Sequence, residues 1–143
     1  MSGVEVRRNF DLKLEVSQAL DSIQYDALAL KTIEIILEKT SSGVDFDNKP
    51  FVEYADFTKK VRKEKGLPTS KPDLFFTGNM LSGMTSIADN DGAVIGFLDR
   101  DSSNKAYRHV LGNGVPVRDF FFINDDDGDE LLDLAMSFFD DAM

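Results

Sequence analysis

Between residues 20 and 37 apolar side chains return at three- and four-residue steps, as Leu20, Ile23, Ala27, Leu30, Ile33 and Leu37. That spacing draws one stripe along a helix, and Asp21, Gln24, Glu34 and Glu38 fall largely on another side. The pattern predicts a long helix from about residue 18 to residue 39, capped by Ser17. Thr40-Ser41-Ser42-Gly43 ends it, with Gly43 free to take the left-handed geometry of a helix stop. Ahead of it Val4, Val6, Phe10, Leu12 and Leu14 alternate loosely, which predicts an extended arm or strand. Beyond the polar loop 44–50, Tyr54, Phe57 and Val61 predict the buried stripe of a shorter helix over about 52–65. Gly66 and Pro68 close it.

The second half of the chain is more broken. Leu74, Phe75 and Phe76 suggest a brief extended piece, and Met80 with Leu81 one helical turn. Residues 84–99 predict a β-hairpin turning at Asn90-Asp91-Gly92, where an Asp-Gly pair offers the positive backbone angles of a tight turn. A short helix is expected over 104–111, closed by Gly112, and a Phe-rich third strand over 116–123. The last helix is expected near Asp127 as its cap, with Glu130 three residues on. Leu131, Ala135, Phe138 and Ala142 form its apolar face, widened by Leu132 and Phe139. The sum is an α+β fold: a long N-terminal helix, a second short helix, a small mainly antiparallel sheet with a β-hairpin, and a C-terminal amphipathic helix. An N-terminal arm over 1–16 precedes a single domain over 17–143.

Composition sharpens this. Twelve Phe stand against three Tyr and no Trp, so most rings are expected in core or interface. The chain has no cysteine, which excludes disulfides, thiolate metal sites and a Cys nucleophile. No apolar run is long enough for a signal peptide or a membrane span. The net charge of -10 is unevenly placed. Residues 58–71 carry six basic side chains and one acidic, whereas residues 119–143 carry nine acidic and no basic. One short basic patch in a negative field does not suit tight or sequence-specific nucleic-acid binding. Patches of opposite sign do suit head-to-tail contact between subunits.

Candidate chemistry is sparse. Setting Gly128 as the sixth residue of a calcium loop puts Asp127 fifth and Asp125 third, but Ile123 first, so a ligand is missing. Asp89-Asn90-Asp91-Gly92 fails the same way at Ile87. His109 is the only histidine and has no evident nucleophile beside it. Asp119 is the one carboxylate with a suggestion of burial, and a single carboxylate is not a catalytic pair. Gly112-Asn113-Gly114 lacks phosphate-loop spacing. No enzyme activity, cofactor or metal is therefore expected. The candidate contact residues are Lys59, Lys60, Arg62, Lys63 and Arg118, and the candidate exposed or channel-facing acids are Asp125, Asp126, Asp127, Asp129, Glu130 and Asp133.

The order of features from residue 43 to residue 121 is distinctive. Gly43 and Asp45 form a turn signal, followed by Pro50-Phe51 and a helix bearing Tyr54 and Lys60. Leu74, Thr77, Gly78 and Leu81 come next, ahead of the hairpin. Ala106, His109 and Gly112 then precede Pro116, Arg118, Phe120 and Phe121. This order resembles the virion-morphogenesis family of tailed bacteriophages, which includes neck, tail-completion and head–tail connector proteins. The resemblance implies a non-enzymatic structural protein, made in the host cytoplasm and placed in the virion at the head–tail junction. Its partners would be copies of itself in a ring, the portal or connector, and tail proteins, with DNA passing through the channel and no membrane involved. The alternative is a small acidic binding or inhibitor module that mimics nucleic acid.

Overall fold

Alternating apolar residues near the N-terminus form two strands, β1 (Val4–Arg8) and β2 (Leu12–Val16), which pair antiparallel as a hairpin. The segment read as an arm therefore supplies half of a four-stranded sheet ordered β1-β2-β4-β3. In this computed structural model residues 4–9, 11–17, 19–70, 72–74 and 79–141 are described, apart from the side chains of Asn79, Asp140 and Asp141. Phe10, Phe75, Phe76, Thr77, Gly78 and Ala142 lie outside the described residues.

The expected hairpin is present as β3 (Met84–Ala88) and β4 (Ala93–Phe97). Its turn is not made by positive backbone angles. Instead Asp89 Oδ1 accepts from the amides of Asp91 at 2.8 Å and Gly92 at 3.1 Å. Gly92 is needed for another reason: a Cβ there would lie 2.5 Å from the Leu14 carbonyl oxygen. Register joins the hairpins by pairing Leu12 with Ile95 and Leu14 with Ala93, and all four are fully buried. The other face carries Glu5, Arg7, Lys13, Glu15, Ile87 and Val94, with ion pairs Arg7–Glu5 at 2.8 Å and Lys13–Glu15 at 3.3 Å. One covered face and one wet face are what alternation in an antiparallel sheet produces.

Helix α1 (Ser22–Ser41) covers the apolar face over β3 and β4, and α5 (Asp125–Asp141) lies beside α1 and against β1. The cap of α1 is Asp21, not Ser17, in a reciprocal box with Gln24 (2.8 and 2.9 Å). Its buried side is Tyr25, Leu28, Ala29, Thr32, Ile35, Ile36 and Thr40. Half of the expected stripe therefore faces outward, Ile23 79%, Leu30 58% and Leu37 36% exposed, while Leu20 is buried and Ile33 packs on the core. The buried row hides its hydroxyls locally. Thr32 Oγ1 donates to the Leu28 carbonyl at 2.8 Å and Thr40 Oγ1 to that of Ile36 at 2.7 Å.

Helix α2 (Asp56–Glu64) is shorter than expected, followed by the single turn α3 (Asn79–Ser82). Helix α4 (Arg100–Leu111) begins four residues earlier than the reading, because Asp99 caps it through the Ser102 amide at 2.7 Å. Gly112, at φ 75°, ends it. Residues 116–123 form no strand: Arg118, Phe120 and Phe121 are all buried, which a one-sided strand does not allow. The cap of α5 is Asn124, whose Oδ1 accepts from the Asp127 amide at 2.9 Å while Asp127 Oδ2 accepts from the Asn124 amide at 3.1 Å. Leu131 and Ala135 are buried, and Phe138 and Phe139 pack on the core, as expected.

Candidate functional site

Of the residues that carry the resemblance, Leu74 and Arg118 meet Tyr54 directly, while Thr77 and Gly78 lie outside the described residues. Gly43, at φ 80°, turns the chain out of α1, and Asp45 Oδ1 accepts from the amides of Asp47 (2.9 Å) and Lys49 (3.0 Å). Phe51 returns to donate to the Gly43 carbonyl at 2.9 Å and is buried. Tyr54 follows, with the guanidinium carbons of Arg62 and Arg118 at 4.6 and 5.0 Å from its ring centroid. Its hydroxyl accepts from the Leu74 amide at 3.1 Å.

Both arginines belong to the interior. Arg62 is 2% exposed, donating to the Pro68 carbonyl at 2.8 Å and to Asp73 at 2.9 Å. Arg118 is 4% exposed, donating to the carbonyls of Val52 at 2.8 Å and Glu53 at 3.0 Å. Burial holds the Arg118 pKa below its ordinary value, and Tyr54 pulls it the other way. The expectation that Arg62 and Arg118 contact another subunit is therefore corrected: their forks are engaged inside this chain. The Arg118 amide also donates to the His109 carbonyl at 2.8 Å. Burial and the Arg118 cation push the His109 pKa down to about 4, so its imidazole is neutral at physiological pH. Its Nδ1 is buried without a hydrogen-bond partner among the described residues.

Asp119 also has an internal partner. Arg8 grips it with two bonds, 2.5 and 3.0 Å, while stacking over Phe122 at 4.8 Å. Asp127 is corrected likewise, from an exposed acid to a buried one, held by Lys39 at 2.6 Å. Lys39 Nζ also donates to the Phe46 carbonyl at 2.9 Å.

The remaining candidates stay on the surface, divided by sign. Lys60 and Lys63 are exposed on α2 and pair with no carboxylate among the described residues. Lys59 reaches Glu53 at 3.5 Å. Asp125, Asp126, Asp129, Glu130 and Asp133 are exposed along the first turns of α5. Lys31 ties Glu130 to α1 at 3.4 Å, so these acids flank the α1 surface. Two features were assigned to the core by sequence and lie outside it: the ridge Ile23–Leu30–Leu37, and Phe57, 77% exposed on α2. Spacing had revealed both rows, but not which way they face.

A recess of about 290 Å³ between β1 and the start of α5 is lined by Val4, Val6, Phe46, Phe122 and Asp125, with no basic side chain among its lining residues. Among the described residues no three His, Asp or Glu are grouped to hold a metal ion, and no helix is long and apolar enough to cross a membrane. No protein-family model, curated protein or solved structure matches this chain.

Proposed function

We propose that this chain is a non-enzymatic structural subunit of a tailed-phage virion, forming with copies of itself a ring between portal and tail. The observation that carries the reading is the Tyr54 brace. Arg62, Leu74 and Arg118 meet Tyr54 from separate parts of the chain, and the two arginines donate to the carbonyls of Pro68, Val52 and Glu53. Such cross-links between distant segments suit a subunit that must keep its shape under load, which supports the structural reading. The exposed acids of α5 then give the channel a negative wall that repels DNA phosphate and lets the genome pass without sticking.

Deleting the gene in the phage that carries it tests this directly. Filled heads and finished tails that fail to join are expected, and infectious particles at normal yield refute it. The row of exposed acids on α5 favours a second reading, an acidic module that mimics nucleic acid. That reading predicts a monomer or dimer that displaces DNA from a DNA-binding protein.

A further inference from the structure

Three large aliphatic side chains on α1 stand in water at seven-residue intervals: Ile23, Leu30 and Leu37. Seven residues are close to two helical turns, so they form one ridge about 21 Å long. In the lone chain Ile23 and Leu30 keep most of their surface in water, and Leu37 about a third of it (36%), so apolar area remains to be buried by a partner. Acids outnumber bases along the ridge: Asp26, Glu34 and Glu38 on α1 are exposed, Lys31 pairs with both Glu34 (3.5 Å) and Glu130 (3.4 Å), and Asp133 lies further along α5. Elsewhere on the surface stands the complement. Helix α2 makes little contact with the other helices and strands and presents Phe57 to water, with Lys60 and Lys63 exposed on the same short helix.

We infer that α2 of one copy docks on the α1 ridge of a second copy, Phe57 seating among Ile23, Leu30 and Leu37 while Lys60 and Lys63 meet the bordering acids. The inference rests on the self-assembling subunit proposed above and names its contact. Charge decides the pairing mode. Ridge against ridge sets acid on acid, and α2 against α2 sets lysine on lysine, so two-fold pairing of either surface with itself is disfavoured. Ridge against α2 matches sign and buries an aromatic anchor. Such a contact is head-to-tail, and repeated with the right rotation it closes a ring.

The chain has no cysteine, which makes a clean cross-linking test available. Asp56→Cys, beside Phe57 and leaving that anchor in place, and Leu30→Cys are prepared separately, mixed, and oxidised without any portal protein present. A mixed disulfide between the two variants, exceeding the homodimer of either, is expected. In sedimentation, wild type should associate with rising concentration and less so at high salt. Phe57→Ala should weaken association ~30-fold. Lys60→Glu/Lys63→Glu should weaken it as well, and mixing that variant with Glu34→Lys/Asp133→Lys should restore it. All variants should melt as wild type does, since the changed side chains are exposed. Association unchanged by Phe57→Ala and by the charge swaps overturns the inference and leaves the ring standing on another surface. A wild-type chain that stays monomeric at every concentration also overturns it, as does association only with some other basic protein. In both cases the gene-deletion result still judges the virion reading separately.

Discussion

The Tyr54 brace and the outer surfaces of α1 and α2 use the same kinds of residue to opposite ends. In the brace, cations and a ring are withdrawn from water: Arg62 and Arg118 flank Tyr54 and donate to Pro68, Asp73, Val52 and Glu53. On the surfaces Phe57 and the α1 ridge face outward, and Lys60 and Lys63 pair with no carboxylate among the described residues. The contrast runs through a single helical turn, because Arg62 points in while its neighbours at 60 and 63 point out. Arginine's planar fork fits fixed carbonyl oxygens, whereas a lysine is easily kept at the surface. One region consumes its interactions in folding, and the other keeps them for association.

Removing a member of the brace should break the fold most. Arg118→Ala removes two hydrogen bonds, to the carbonyls of Val52 and Glu53, and opens a cavity where the 4%-exposed side chain lay, so a loss of ~3 kcal/mol is expected. Denaturant titration checks it, and Arg118→Lys should recover only part of the loss. Next comes the pair that closes α5 onto α1. Lys39→Met leaves the Asp127 carboxylate buried beside no cation and should cost about 2–3 kcal/mol. Adding Asp127→Asn, which keeps the cap acceptor and drops the charge, should return most of it.

Acid should have a smaller, graded effect through His109. Its free value is 6.5 and its folded value about 4. Between those values the unfolded chain takes up a proton that the folded chain refuses. The contribution is therefore complete above pH 6.5, declines as pH falls toward 4, and is flat below. Partial exposure of the ring limits the change to about 1–2 kcal/mol. Carboxylates titrate in part of this window, so the comparison is with His109→Gln, whose stability profile should be flatter between pH 6.5 and 4. The smallest effect on folding belongs to the ridge: Leu30→Gln should shift unfolding by no more than about 0.5 kcal/mol. A large loss there would place Leu30 with the core and erase the contrast between the two regions.

Most elements of this fold were legible in local chemistry. The loop signal after residue 40, Gly43, Gly66, Gly112, the 84–99 hairpin and the two long helices act through a few neighbouring residues, and all are found. Facing was less legible. Both rows of α1 repeat at helical spacing, and the one that is buried contains Tyr25, Thr32 and Thr40, whose polar atoms disguise it until their hydrogen-bond partners are seen. The 116–123 segment likewise has strand-like composition, yet it pairs with no strand among the described residues: Arg118, Phe120, Phe121 and Ile123 are buried, and contacts from 46 and 109 hold it.

Chain order alone thus specified the kinds of segment, where they stop, and an excess of acid at one end and base near the middle. Which side of each helix entered the core, and which arginines and acids were lost to the surface, came from partners far away in sequence. Arg8 meets Asp119 across 111 residues and Lys39 meets Asp127 across 88. Caps and turns are settled within one or two helical turns, whereas burial depends on what other surface arrives to exclude the water.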